Sequence, residues 1–201
     1  VLGFVDITRS VDWIRSAGGR VMNLLTKGSE RHCTLHLRKT PEEHLRDIGE
    51  TVRYARSQGL TVKAYLEDWS QGMRNSRAYV HGLIDGLREL EIDRLMLCDT
   101  LGVLQPRDVV EMIQDVVARW DRVIDFHGHN DYGLVTANVL AAIDAGAHGI
   151  HVTVNGLGER AGNAPLDEAV VVIRDHARRS TGVDETSLRD IARLVSTYSD
   201  R

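Results

Sequence analysis

Cysteine is nearly missing from this chain: Cys33 and Cys98 are the only two in 201 residues, far apart and outside any CxxC spacing. That excludes a disulfide framework and a thiolate metal site, and reduced cytoplasm is the expected setting. Long hydrophobic runs are also missing. No segment approaches the roughly 20 apolar residues needed to span a bilayer, so no membrane span is expected. There is no surplus of positive charge either. Net charge is −4 with a pI near 6.1, and the basic residues are dispersed, which leaves no electrostatic footprint for nucleic acid or an anionic membrane. The partner expected is a small molecule or another protein. No low-complexity linker interrupts the chain, and no basic or signal-like lead-in precedes the first apolar run, Val1-Leu2-Gly3-Phe4-Val5. With no initiator Met, this abrupt entry into a strand suggests a chain trimmed at its N-terminus.

What is present is ordinary globular material, 42 % hydrophobic and 27 % charged, enough for one substantial core. Short β-branched runs alternate with longer segments of helical period, the pattern of βα units around a parallel sheet. Six strands are predicted, near Leu2–Asp6, Arg20–Leu25, Thr61–Leu66, Asp93–Cys98, Arg122–His127 and Gly149–Val154. The clearest helix opens at Thr40-Pro41-Glu42-Glu43, which combines an N-cap, a Pro at the first helical position and a Glu at the third. It puts Leu45, Ile48, Val52 and Ala55 on one stripe and stops before Gly59. A second covering helix buries Val80, Leu83, Ile84 and Leu87. A third, opened by Pro106, buries Val109, Val110, Ile113, Val116 and Val117. Ala164–Ala177 forms another helix, and Leu188, Ile191, Leu194 and Val195 mark a short one outside the βα rhythm. Six parallel strands fit an open doubly wound sheet or part of an eight-stranded barrel, which typically takes about 250 residues. Pattern does not choose between them, but both put chemistry at the carboxyl ends of the strands.

The fifth strand ends in Asp125-Phe126-His127-Gly128-His129-Asn130-Asp131. Residues i and i+2 of a strand face the same way, so His127 and His129 project together, with Gly128 allowing close approach. Two imidazoles on one side make half of a transition-metal site if an oxygen ligand from elsewhere completes it. A pair of solvated or hydrogen-bonded histidines fits an isolated HxH equally well, and the strand-end position and the Asn-Asp continuation favour the metal. The next strand runs into Gly156-Leu157-Gly158-Glu159-Arg160-Ala161-Gly162-Asn163, whose GxGxxxG spacing and late position differ from the dinucleotide fingerprint. A glycine-rich loop alone is most often a turn. Directly after an HxH strand it reads as the other wall of one pocket. Glu67 and Asp68 close the third strand, Asp99 and Thr100 the fourth, and Asn23 lies on the second. Singly each has a bland reading: Asp99 caps a turn, Glu67 and Asp68 are solvated, Asn23 satisfies backbone groups. Their recurrence at one end of successive strands resembles an active-site rim. His36, His44, His81 and His176 are expected at the surface, His151 as a satisfied core histidine, and His32 as a residue that could contact an anionic substrate.

"HGHND", "DTLG" and "NGLGERAGNAPL", in this order and spacing, resemble the metal-dependent condensing enzymes that include isopropylmalate, homocitrate and citramalate synthases, with hydroxymethylglutaryl-CoA lyase as a relative. The resemblance implies a TIM (β/α)8 barrel, of which this chain supplies about six βα units, strands three to eight. Residues 1–179 would be the partial catalytic barrel and 180–201 the start of a C-terminal helical linker region. It further implies that His127 and His129 are metal ligands, with Asn163 at or beside the metal, a divalent ion such as zinc, manganese or magnesium. Thr100 would hold a 2-oxo acid carboxylate, Glu67 would be the catalytic glutamate near the reacting centre, and Asn23 a substrate contact. Gly158, Glu159 and Arg160 would shape the substrate pocket. The implied reaction condenses acetyl-CoA with a 2-oxo acid, in a cytoplasmic homodimer. Two departures matter. Nothing here matches the D-x-R-E or D-R-E-type motif that the family carries on its first strand, and Tyr65 and its neighbours replace a more usual serine-containing version of the third strand. A carbon–carbon lyase or aldolase is an alternative, although the lyases place a cysteine in the loop that reads GERAGN here. A catalytically silent barrel fragment serving assembly is another.

Overall fold

The computed structural model describes residues 1–199; positions 200 and 201, the end of the expected linker region, lie outside the described residues. The strands are β1 (Leu2–Phe4), β2 (Val21–Lys27), β3 (Thr61–Glu67), β4 (Arg94–Asp99), β5 (Val123–Gly128) and β6 (Gly149–His151). The helices are α1 (Arg9–Ser16), α2 (Pro41–Ser57), α3 (Trp69–Asn75), α4 (Arg77–Arg88), α5 (Pro106–Val117), α6 (Val135–Asp144), α7 (Leu166–Asp175) and α8 (Leu188–Ser199). All strand pairs are parallel and the spatial order is the sequence order, β1 to β6. A doubly wound sheet reverses its strand order at a switch point. This sheet never does, so every crossover has the same sense and the helices cover one face, the singly wound arrangement of a barrel wall.

The side-chain alternation assigns the two faces. Met22, Leu24, Val62, Ala64, Leu66, Leu95, Leu97, Ile124 and Phe126 belong to the buried core under the helices, each of the larger side chains contributing about 1.5–3 kcal/mol. The other face, the barrel interior, carries Asn23 and Lys27 on β2, Lys63, Tyr65 and Glu67 on β3, Arg94 and Cys98 on β4, and Asp125 and His127 on β5. A barrel interior is ordinarily filled by branched apolar residues. Here it is strongly polar.

The Thr40–Glu43 capping box is formed in full, and Val80, Leu83, Ile84 and Leu87 are all buried. Val117 is not: it is 42 % exposed at the end of α5. β6 is shorter than expected. After His151 the chain leaves the ladder, Thr153 pairs with Pro165 instead, and a turn at Val154–Gly156 with Asn155 left-handed (φ 57°) swings the loop over the strand ends. Among the histidines placed at the surface by sequence, His36 and His176 are exposed, but His44 is buried. Its Nε2 accepts a hydrogen bond from the Lys27 backbone N–H at 3.1 Å, satisfying the last amide of β2. Burial, with help from Lys39, lowers its pKa to about 4. His81 is half-buried and pairs with Asp115 at 2.9 Å. No helix of the described residues is long and apolar enough to cross a membrane.

Candidate active site

The carboxyl ends of β3 to β6 bring the three sequence motifs together. Register sets Lys27 opposite Glu67, Cys98 opposite His127, and His127 opposite His151. These side chains therefore form the top row of the inner face. β4 turns sharply after Asp99, which is fully buried and whose carboxylate accepts from the amides of Val103 (3.2 Å) and Leu104 (3.1 Å). Gly102 at φ 58° completes the turn. A Cβ there would lie 2.6 Å from the Asp131 amide nitrogen and 2.7 Å from the His129 carbonyl, so only glycine lets the Asp99-Thr100-Leu101-Gly102 turn press against His129-Asn130-Asp131. The His129 amide in turn donates to the Asp99 carbonyl at 3.2 Å.

The glycine-rich loop closes the ring. Arg160 donates to both Asp131 carboxylate oxygens at 2.8 Å and to the Thr100 carbonyl at 2.7 Å, and the Asn130 amide donates to the Gly162 carbonyl at 3.0 Å. Asn130 also accepts, through Oδ1, from the Val135 amide at the start of α6 (3.2 Å). The two polar residues after the histidine pair thus tie the site together. His129 and Asn163 face each other as an isolated bridge, and the His127 and His129 rings meet edge to face, 5.1 Å between centroids. Asn163 is aimed by its Nδ2, which donates to the Leu157 carbonyl at 3.1 Å, and by Gly158, where a Cβ would sit 2.4 Å from that nitrogen.

Four atoms here are buried with no hydrogen-bond partner: Nδ1 of His127, Nδ1 of His129, Oδ1 of Asn163 and Oγ1 of Thr153. Orphaned buried polar atoms are costly. Two imidazoles and an amide oxygen form a donor set that suits a divalent transition metal. Burial, reinforced by neighbouring His151 and His129, lowers the His127 pKa to about 4, which keeps the ring neutral and its lone pair free. The residues present therefore fit such an ion as a partial ligand set. Among the described residues no three His, Cys, Asp or Glu side chains converge on one point.

Glu67 pairs with Lys27 on the same rim, and the Thr100 hydroxyl accepts from the Asp68 amide at 2.8 Å. Asp68 is not solvated: it is buried in a left-handed conformation (φ 63°) and accepts from Ser29 Oγ at 2.7 Å. His32 lies 3.4 Å from the same carboxylate and stacks on His36. Glu159 points to solvent, its side chain 82 % exposed. Asn23 is not brought to this rim. It sits four residues before Lys27 on β2, about 13 Å down the strand.

Sequence reading named His151 as a satisfied core histidine but did not connect it to the inward polar residues around it. Arg94 donates to Asp125 at 2.6 Å, Asp125 lies 3.6 Å from His151 Nε2, and the Tyr65 hydroxyl lies 3.4 Å from His151 Nδ1. Burial pushes the Asp125 carboxyl up, but His151 and Arg94 outweigh it and hold the group below the usual carboxylate range. Tyr65 and His151 join His127 and Asn163 in lining a cavity of about 450 Å³. The available signal was polar residues at alternate, inward positions of four adjacent strands.

The chain resembles known proteins over most of its length. The HMGL-like family model matches residues 4–195. A 2-isopropylmalate synthase of Sulfurisphaera tokodaii is 36 % identical over 192 residues, covering 95 % of this chain and 48 % of the relative. A homocitrate synthase of Sulfolobus acidocaldarius is 40 % identical over 172 residues, covering 85 % of this chain and 36 % of the relative. The chain thus spans about half or less of the curated relatives it matches. Among solved structures, a hydroxymethylglutaryl-CoA lyase from Pseudomonas aeruginosa superposes with a TM-score of 0.86 at 18 % identity, covering all of this chain and 70 % of that one; this likeness concerns the fold. The fold, the three interlocked motifs and the span of the match agree: the chain belongs to the HMGL-like family.

Proposed function

We propose that this chain is the larger part of the catalytic barrel of an acyltransferase that condenses acetyl-CoA with a 2-oxo acid, as in isopropylmalate, homocitrate or citramalate synthesis. The names of the curated relatives support the reaction class. The observation that carries it is the convergence of His127, His129 and Asn163, with unpartnered nitrogen and oxygen atoms, between Thr100 and the glycine-rich loop.

His127, His129 and Asn163 would hold a divalent ion, whose Lewis acidity toward a ketone oxygen is the chemistry it supplies. The Thr100 hydroxyl accepts from the Asp68 amide and so directs its own proton outward, toward the carboxylate of the 2-oxo acid. Glu67, which pairs with Lys27 on the rim, presents a carboxylate oxygen that takes a proton from the acetyl methyl group. The carbanion equivalent then attacks the ketone carbon as the C=O π bond opens, the resulting alkoxide takes up a proton, and water cleaves the thioester to a carboxylate and free CoA, which makes the condensation irreversible. Arg160 contributes by bracing Asp131 and Thr100, and Gly158 by leaving room for the Asn163 amide.

The test is to replace His127 and His129 together by Ala in the intact protein and measure bound metal and CoA release with acetyl-CoA and a panel of 2-oxo acids. Both should be lost. Unchanged metal stoichiometry would remove the ligand assignment, and cleavage of a 3-hydroxyacyl-CoA without any condensation would replace the synthase by a lyase.

A further inference from the structure

Tyr65 does not stay on its own side of the barrel. Its strand, β3, is separated from β6 by β4 and β5, yet its hydroxyl lies 3.4 Å from His151 Nδ1 and the two rings stand 5.4 Å apart, centroid to centroid. The phenol therefore crosses the interior beneath the rim. Register gives its height: Tyr65 lies opposite Met96, and Met96 opposite Asp125. Glu67 and His127, each two residues further along its strand, belong to the layer above, and Lys63 and Arg94 form the layer below.

The ring is held at its far end. His151 turns Nε2 to the Asp125 carboxylate (3.6 Å), which Arg94 holds at 2.6 Å, so Nδ1 is left to accept the phenol proton. Swinging Tyr65 aside gives up that contact and leaves the His151 nitrogen unpaired. Tyr65 is thus a fixed floor and not a gate. The cavity above it, about 450 Å³ with His127, Thr153 and Asn163 in its walls, is toward the small end of ligand pockets, which run from about 300 to 1,000 Å³. It has to take the ion, the 2-oxo acid and the reacting end of the thioester. A 2-oxo acid whose ketone oxygen meets the His127, His129 and Asn163 group, and whose carboxylate meets Thr100, has two of the three groups on its ketone carbon committed at the rim. The third, its side chain, faces inward to the Tyr65 ring.

We propose that Tyr65, braced by His151, sets the depth of the 2-oxo acid pocket and confines the substrate to 2-oxo acids with an unbranched side chain of one or two carbons. The chemical class of the substrate rests on the acyltransferase reading above; the floor rests on the contact between Tyr65 and His151.

The experiment measures kcat/KM of the intact, metal-loaded protein, at saturating acetyl-CoA, for pyruvate, 2-oxobutanoate, 3-methyl-2-oxobutanoate and 4-methyl-2-oxopentanoate. The two short acids should be preferred by about 10- to 200-fold, the discrimination that one methylene group commands in a fitted pocket. Tyr65→Leu lowers the floor and should erase or invert that preference by raising kcat/KM for the branched acids. Tyr65→Phe keeps the ring but frees it from His151, and should narrow the preference without abolishing it; an unchanged ratio there would overturn the brace. Equal turnover of short and branched acids by the parent protein would overturn the floor while leaving the acyltransferase reading standing, and so would a folded Tyr65→Leu protein that keeps the parent ranking. Should Tyr65→Leu fail to fold, the parent ranking and the Tyr65→Phe ratio decide. No condensation with any 2-oxo acid would refute the acyltransferase reading instead. Calorimetric titration of the same four acids into the metal-loaded parent then tests the floor by itself, and tighter binding of the branched acids would overturn it.

Discussion

Gly158→Ala isolates the aim of one candidate ligand. Gly158 is not in the left-handed region, so an alanine backbone is unstrained there, and the contact alone decides the outcome. The added Cβ would lie 2.4 Å from Asn163 Nδ2, 2.8 Å from its Cγ and 3.2 Å from its Oδ1. Asn163 must rotate away, giving up its bond to the Leu157 carbonyl. A lost hydrogen bond at this exposed position costs about 0.5–1.5 kcal/mol, roughly 1–6 °C in Tm for a chain of this size. The larger consequence is functional. Oδ1 leaves the two imidazoles, and metal affinity should fall about 10- to 100-fold.

The assay is calorimetric titration of zinc or manganese into the variant, paired with thermal melts, in a cycle with Asn163→Ala. Once the Asn163 side chain is gone, the methyl group added by Gly158→Ala has nothing to displace. The two substitutions should therefore be strongly non-additive, with a coupling of about 0.5–3 kcal/mol. Additive losses would mean that Gly158 does not act through Asn163. A Gly158→Ala protein that has lost stability but holds metal as tightly as before would take Asn163 out of the donor set.

Thr100→Val removes the acceptor of the Asp68 amide, so stability should drop by about 1–3 kcal/mol while kcat/KM for the 2-oxo acid falls about 10- to 100-fold; a loss confined to the acetyl-CoA KM would put Thr100 in the wrong half of the pocket. Asp125→Asn leaves Arg94 and His151 without their anion, and because Arg94 is one-third exposed the low end of the buried-pair range applies, about 3 kcal/mol; a urea titration showing under about 1 kcal/mol would refute the network. His44 and His127 are both lowered to about 4 from about 6.5 in the unfolded chain. Stability should be level above pH 6.5 and fall between pH 6.5 and 4, as the unfolded state takes up protons that the folded state refuses, by about 3 kcal/mol per histidine. His44→Gln should remove about half of that slope, and an unchanged urea midpoint between pH 7 and 4.5 in the parent protein would contradict both assignments.

Much of the wall was legible because its signals are local. The Thr40–Glu43 box, the Pro106 start and the apolar stripes of α2, α4 and α5 each sit within one turn or one face of their own element. α3 was not legible, since Trp69 and Met73 are its only large buried apolar residues and seven residues show no period. α6 was silent for the opposite reason: Val135, Val139, Ala141, Ala142 and Ile143 are buried on more than one side, so no polar face contrasts with them. β6 was overextended because His151-Val152-Thr153-Val154 alternates like a strand, while the pairing of Thr153 with Pro165 that takes it out of the ladder lies twelve residues away.

The site divides the same way. His127, His129 and Asn163 are each visible as motif letters, yet what gives those letters a geometry is carried by pairs that no motif contains: Arg160 with Asp131 and the Thr100 carbonyl, Gly102 against His129 and Asp131, Gly158 against Asn163. Such pairs lie 27 to 60 positions apart or hinge on one missing Cβ, and they become readable only when strand order and register are known. The Arg94–Asp125–His151–Tyr65 chain makes the point most sharply. No motif joins these four residues, but once β3 to β6 run side by side the inward alternation brings them together, and in a low-dielectric interior they have to satisfy one another. The polarity of that inner face, set beside the His127 and His129 rings, is therefore a consequence of register, and it anchors the histidine rim to three neighbouring strands rather than to its own loop.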